Sequence, residues 1–202
     1  QHRALQAGLN IVLTTWQRPW YKDHLLPAAN LRDLPHRARQ AEIVIVTKCP
    51  QLPSPEEQHR WRERLGLGAG QALFFSGIEY APPCSLIDSA MTVPTGAGTS
   101  ALLFTGIADD RPLRTHVEPL FEHVRHLSFG DHHIFTPADQ QRMARLFDTF
   151  ADGEKTLLTT EKDAARLGPA LLSGPLEGLP IAAIGIRAII LNEPHAFEAL
   201  IR

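Results

Sequence analysis

Four short segments hold most of the side chains able to do chemistry in this 202-residue chain: Val46-Thr47-Lys48, Thr105-Gly106-Ile107-Ala108, Gly130-Asp131-His132-His133 and Thr159-Thr160-Glu161-Lys162-Asp163. Each follows a short apolar run. In open α/β sheets the loops at the carboxyl ends of the strands line the ligand crevice, so residues distant in sequence converge there. Asp131 beside His132 forms a pair suited to general-base work, because imidazole titrates near neutrality and an adjacent carboxylate orients it and stabilises its charged form. On spacing alone the same pair also fits an ordinary polar turn at a strand end. Lys48 and Lys162 each follow a strand ending in Thr, a placement suited to gripping anionic oxygens, with the Thr160 hydroxyl adjacent to the second. Asp163 also suits capping the helix that begins there. Gly106 lets the backbone turn tightly and bring N–H groups toward a ligand.

Other chemistries lack their residues. A formal net charge of -2 and no basic stripe give no reason to expect a nucleic-acid partner. Cys49 and Cys84 stand far apart without metal-ligand spacing and read as two free thiols in a reducing compartment. Five of the ten histidines fall between His116 and His133, but His116, His123 and His126 sit beside the apolar stripe of an expected helix, as half-exposed boundary residues rather than metal ligands. No G-x-x-x-x-G-K-[ST] cradle and no nucleophile elbow occur in the sequence. The longest apolar stretch, Ile181 to Leu191, contains Arg187 and falls short of the roughly 20 residues a membrane span requires. The chain opens on Gln1-His2-Arg3 without an initiator Met, so a fragment is expected.

The elements that must position these residues alternate. Strands are expected at 9–14, 42–47, 72–76, 100–105, 127–129, 156–160 and 181–191. Ser54, Pro55 and Glu57 announce a helix running to about Leu65. Leu113, Val117, Leu120, Phe121 and Val124 share a helical face; further helices are expected from Pro137 to about Phe150 and from Asp163 to Leu172. Residues 16–35 read as a Pro-punctuated connector and 94–99 as a loop. Strands separated by helices of this length predict an α/β fold, a mostly parallel sheet flanked by helices in three α/β/α layers.

Taken in order, Gln1-His2-Arg3, Leu25-Leu26-Pro27-Ala28 with Leu31-Arg32-Asp33, Val46-Thr47-Lys48, Gly106-Ile107-Ala108, Asp131-His132 and Leu158 through Leu167 form a set that resembles the tetraacyldisaccharide 4'-kinase family, the lipid A 4'-kinases of Gram-negative bacteria. The resemblance covers essentially the whole chain. It implies a P-loop-kinase-like second domain, with residues 1–8 a remnant of a missing amino-terminal P-loop domain, 9–192 the carboxyl-terminal domain, and 193–202 a terminal helix that packs on the missing part. ATP and Mg²⁺ would be bound mainly by that absent domain, with Gln1 and His2 next to its Asp-Asp motif.

The reaction implied moves the γ-phosphoryl of ATP to the 4'-hydroxyl of the lipid A disaccharide precursor at the cytoplasmic face of the inner membrane, which the enzyme contacts peripherally. His132 matches the family's catalytic histidine, working with an aspartate of the other domain, and Asp131 would orient or tune it. Arg32 and Asp33 fall in the family's Leu-Arg-Glu-Pro motif, where this chain has Asp for Glu and an extra Leu34 before Pro35. Lys48, Lys162, Asp163 and the adjoining Thr160 match positions facing the interdomain cleft. Trp16, Arg18, Trp20, Tyr21 and Lys22 suit either lipid headgroups or a packed hinge. The competing expectation is a free-standing α/β domain that holds a phosphorylated ligand through Lys48 and Lys162 without catalysis.

Overall fold

The structure is a computed structural model that describes residues 8–22, 38, 40–88, 90–151, 153–169 and 173–202. Gln1, His2, Arg32 and Asp33 lie outside the described residues. The strands are β1 (Ile11–Thr15), β2 (Ile43–Thr47), β3 (Ala72–Tyr80), β4 (Cys84–Ser85), β5 (Gly96–Thr105), β6 (Phe121–Ser128), β7 (Glu154–Thr160), β8 (Ile181–Ile184) and β9 (Ile186–Ile190). The helices are α1 (Pro55–Leu65), α2 (Arg111–Val117), α3 (Pro137–Asp148), α4 (Glu161–Leu167) and α5 (Pro194–Ile201). Two compact units result, one from the chain up to Glu79 together with Ala188–Arg202, the other from Tyr80–Arg187.

The first unit is built on a sheet of order β1-β2-β3-β9, with β1, β2 and β3 parallel. Ile43, Val44, Ile45 and Val46 of β2 are all buried, which is why that strand reads as an unbroken apolar run rather than an alternation. Val44 and Val46 pack with Trp20, Trp61, Leu65 and Phe75, whereas Ile43 and Ile45 join Phe74 on the opposite face. Helix α1 starts with the expected capping box between Ser54 and Glu57 and stops at Gly66. In α5, Phe197 meets Phe74 edge-on, with ring centroids 5.1 Å apart.

The second unit carries a sheet of order β4-β8-β7-β5-β6, parallel except for the antiparallel β4-β8 pair. Central β5 sends Leu102 and Phe104 toward Met143, Phe147 and Leu167 of α3 and α4, and Ala101 and Leu103 toward Leu113 and Val117 of α2. Helices thus cover both faces, as a parallel sheet requires. Among the described residues no helix is long and apolar enough to cross a membrane.

Several boundaries differ from the sequence expectation, each for a local reason. The helix expected through Val124 ends at Val117, because Pro119 lacks the N–H that would continue it; a 3-10 turn over Glu118–Leu120 then leads into β6. Phe121 and Val124, spaced like helix neighbours, therefore belong to an edge strand, and so do His123 and His126. The loop expected at 94–99 is in part the start of β5, which pairs at Gly96 with Phe121 before a register shift ahead of Ser100. The long strand expected over 181–191 breaks at Gly185, where the chain passes from one sheet to the other. A Cβ at Gly185 would stand 3.1 Å from the Glu161 carboxylate, so the break falls at a closely packed residue. Helix α4 begins at Glu161 and ends at Leu167, ahead of Gly168.

Leu157 lies fully buried in β7 at the centre of the second unit. Truncation by Leu157→Ala is expected to lower unfolding stability by about 2–5 kcal/mol, through lost burial plus the cavity left behind. Urea denaturation of the chain measures it.

Candidate functional site

Strands β6, β5 and β7 lie side by side and parallel, so the loops following Ser128, Thr105 and Thr160 emerge at the same end of the second sheet. What joins them is the carboxylate of Asp163. Thr160 caps α4: its Oγ1 accepts the Asp163 N–H at 3.1 Å and donates back to Asp163 Oδ2 at 3.0 Å. The same Oδ2 accepts the backbone N–H of Gly106 at 3.0 Å, across 57 residues of sequence. Oδ1 accepts Arg166 Nη1 at 2.9 Å, one helical turn along α4. Asp163 is fully enclosed and Thr160 nearly so, so these two side chains, expected to face a cleft, are instead buried.

Arg166 extends the network upward. Its Nη1 also donates to the Gly106 carbonyl at 2.7 Å, and its Nη2 donates to His132 Nδ1 at 3.0 Å. The His132 backbone N–H reaches the same Gly106 carbonyl at 3.2 Å. His132 adopts a left-handed φ of 59°, rare for a residue with a side chain and costing about 1–2 kcal/mol. Its ring remains 74% exposed, with Nε2 3.7 Å from Asp131 Oδ2. Gly106 is closely surrounded: a Cβ there would sit 3.2 Å from Asp163 Oδ1, a tight contact, and 3.5 Å from both Arg166 Nη1 and the His133 Cβ.

His133 turns to a different task. Its Nε2 lies 3.0 Å from Asp139 Oδ2, and its ring stacks on Phe129 with centroids 4.6 Å apart. Burial pushes the Asp139 carboxyl up, but hydrogen bonds from the Thr136 backbone, His133 and the Thr136 hydroxyl outweigh it and hold the group below its usual range. His133 thus fastens the loop to the start of α3.

Beside Asp131 opens a cleft of about 610 Å³, walled by Ile107, Asp110, Arg111 and Phe129 among others. Asp110 accepts Ser128 Oγ at 2.7 Å and Thr105 Oγ1 at 3.3 Å, while His126 Nε2 stands 2.8 Å from Thr105 Oγ1 and 3.5 Å from Asp110 Oδ2. Burial holds His126 below the ordinary imidazole range, partly offset by Asp110 and reinforced by Arg114. Among the described residues no group of three or more His, Cys, Asp or Glu side chains is placed to hold a metal ion. Lys162 is exposed on the first turn of α4, the positive end of the helix dipole, where a cation gains nothing from the helix itself. Lys48, at a left-handed φ of 58° just past β2, is exposed in the first unit.

The family profile for tetraacyldisaccharide-1-P 4'-kinase matches residues 1–202, the whole chain. The chain belongs to that family. Among its relatives, the tetraacyldisaccharide 4'-kinase of Bacteroides thetaiotaomicron is 39% identical over 83% of this chain and 47% of its own length. That of Flavobacterium johnsoniae is 34% identical over 100% of this chain and 56% of its own length. The chain spans about half the length of the curated relatives it matches. A crystal structure of LpxK from Aquifex aeolicus in complex with ATP has the same fold, with a TM-score of 0.56 and 24% identity over 100% of this chain and 54% of the other.

Three of the segments on which the family resemblance rested, Gly106-Ile107-Ala108, Asp131-His132 and the run from Leu158 to Leu167, thus meet in one hydrogen-bonded cluster of the second unit. Arg166 and Asp110 are the site residues that motif reading did not single out. Arg166 had a signal, its i, i+3 spacing from Asp163 on one helix; Asp110 had none in sequence.

Asp163→Ala leaves the Arg166 guanidinium and the Gly106 N–H facing an empty space, and is expected to cost about 3–5 kcal/mol in denaturant unfolding. A second expectation concerns acid. With His126 held below its ordinary value of 6.5, the unfolded chain takes up that proton at higher pH than the folded one. The stability this contributes is full above 6.5 and is lost as pH falls through the lowered folded value. His116 shares the direction, also through burial. Melting temperature should therefore drop between about pH 7.5 and 5, and drop less in His126→Gln.

Proposed function

We propose that this chain supplies the proton-handling part of an ATP-dependent kinase that phosphorylates the 4'-hydroxyl of tetraacyldisaccharide 1-phosphate in lipid A biosynthesis. Family membership supports the reaction, and one observation supports the site: an exposed His132 beside Asp131, anchored through Arg166 and Gly106 to a fully buried carboxylate. Phosphoryl transfer asks a protein for positioning, charge neutralisation and management of the nucleophile's proton. The His132–Asp131 pair answers the last of these. The exposed Lys162 ammonium suits anionic oxygens of the substrate, and the roles of Lys48, Arg32 and Asp33 follow the family resemblance.

ATP and Mg²⁺ are cofactors of the proposed reaction. The sequence contains no phosphate-cradling P-loop, and the described residues gather no metal-binding set. The residues in hand therefore do not fit the triphosphate or its metal, and both are assigned to a P-loop domain beyond the half that aligns with the relatives.

We assign peripheral contact with the inner membrane to the first unit. There Trp61 lies tilted against Trp16 at 5.0 Å and meets Tyr21 edge-on at 5.9 Å, and these rings with Lys22, Arg60, Arg64 and the single acid Glu57 line a concavity of about 340 Å³. Amphipathic rings beside cations suit anionic lipid headgroups.

In the complete protein, His132→Ala is expected to lower turnover by about 10²-fold with unchanged melting, as when a proton-transfer group is lost. Near-wild-type 4'-phosphorylation of the lipid disaccharide by that variant would refute the assignment.

A further inference from the structure

The cleft beside Asp131 is formed by the loops after β5 and β6, and its lining has a definite chemistry. Asp109, Asp110 and Asp131 set three carboxylates around it against one guanidinium, Arg111, which Asp109 already holds at 2.9 and 3.1 Å. An excess of carboxylate repels phosphates, so neither a triphosphate nor a sugar phosphate suits it. Among the described residues no three such groups are placed to hold a metal ion, so a divalent cation does not suit it either. Ile107 and Phe129 supply the apolar part of the wall. What such a lining accepts is an uncharged molecule with hydroxyl donors along its edge and C–H groups on its faces, which describes a sugar ring. Asp110 is the carboxylate that its surroundings prepare. It stands at the start of α2 yet makes no capping bond to that helix. Instead Ser128 Oγ donates to its Oδ2 at 2.7 Å and Thr105 Oγ1 at 3.3 Å, from the ends of two neighbouring strands, and His126 Nε2 stands 3.5 Å from the same oxygen. Oδ1 takes part in neither hydrogen bond. With its side chain 17% exposed, Asp110 is held in one orientation, a preorganised acceptor rather than a solvated surface charge.

We propose that this cleft is the subsite for a sugar ring of the acceptor disaccharide, and that Asp110 Oδ1 accepts a hydrogen bond from one of its hydroxyl groups. The inference rests on the kinase reading above and adds to it the place in the second unit where the acceptor is held. Every lining residue falls within Tyr80–Arg187, so the subsite is complete in that unit. Acyl chains are turned away by the same carboxylates, which would lose hydration to them without gaining a partner. Asp110 binds through a hydrogen bond alone and makes or breaks no covalent bond. Its grip is the same before and during phosphoryl transfer, so it acts on affinity for the acceptor and not on the chemical step.

The test uses the complete protein and reads KM apart from kcat. Asp110→Ala is expected to raise the KM for the lipid disaccharide about tenfold or more, as when a hydrogen bond to a charged group is lost, with kcat and the KM for ATP unchanged. Ser128→Ala, which removes only the shortest of the bonds holding the carboxylate, should raise the same KM by less. A fall in kcat and melting temperature with no change in that KM would make Asp110 a structural tie and overturn the proposal. A second measurement needs no variant: methyl NMR of the isoleucine-labelled wild type, titrated separately with the deacylated disaccharide lacking its phosphate, with inorganic phosphate and with Mg²⁺. The Ile107 methyl resonances are expected to shift with the disaccharide alone. Silence toward the sugar, or a shift with phosphate or Mg²⁺, overturns the proposal. Absence of 4'-phosphorylation by the wild-type protein would instead sink the kinase reading, while the Ile107 titration still decides what the cleft takes.

Discussion

An ionised carboxylate taken fully out of water is tolerated only where hydrogen bonds and an opposite charge replace its hydration, and Asp163 meets that condition with groups drawn from three places. The Thr160 hydroxyl comes from the end of its own strand, the Gly106 N–H from the end of the neighbouring strand, and the Arg166 guanidinium from the next turn of its helix. Because each donor belongs to a different stretch of chain, satisfying the carboxylate fixes those stretches to one another. The strand-end loops are positioned by this demand more than by contacts among themselves.

Gly106 is the junction through which the demand reaches the Asp131-His132 loop. Its N–H serves Asp163, and its carbonyl receives both Arg166 Nη1 and the His132 N–H. One peptide group from each side of the residue is therefore committed, and a Cβ would crowd Asp163 Oδ1 at 3.2 Å. The left-handed backbone of His132 is a strained state, and such states persist when surrounding contacts over-determine them. Two hydrogen bonds, one to the backbone and one to the ring, do so here. An exposed imidazole is thereby held in a single direction without being buried, the combination a group needs if it is to meet a substrate from outside.

How much of this was legible in sequence depends on the range of the cause. Local signals read well: the capping box at Ser54 and the apolar run of β2 appear where the residues put them. The strand-end placement of Gly106, Asp131-His132 and Lys162 was readable for the same reason, since a polar cluster directly after an apolar run marks where a parallel strand stops. Phe121 and Val124 misled because a three-residue spacing is shared by a helix face and by a strand bent at a register shift, and only pairing with β5 decides between them. Gly185 sits within one apolar run, yet the chain changes sheets there, a tertiary fact with no periodic trace. The inward turn of Asp163 was equally hidden, since an acidic residue at a helix start reads as a cap whichever way its carboxylate faces.

The division into two units gives the cluster a property of its own. Every hydrogen bond that connects Thr160, Asp163, Gly106, Arg166 and His132 is made by residues between Gly106 and Arg166, inside the second unit. Lys48 belongs to the first unit, as do the rings and cations around Trp61. The direction of the His132 ring therefore needs nothing from the first unit to be set. The cluster is complete within Tyr80–Arg187, and the demand of the Asp163 carboxylate is enough to keep the Gly106 and His132 loops in register with each other.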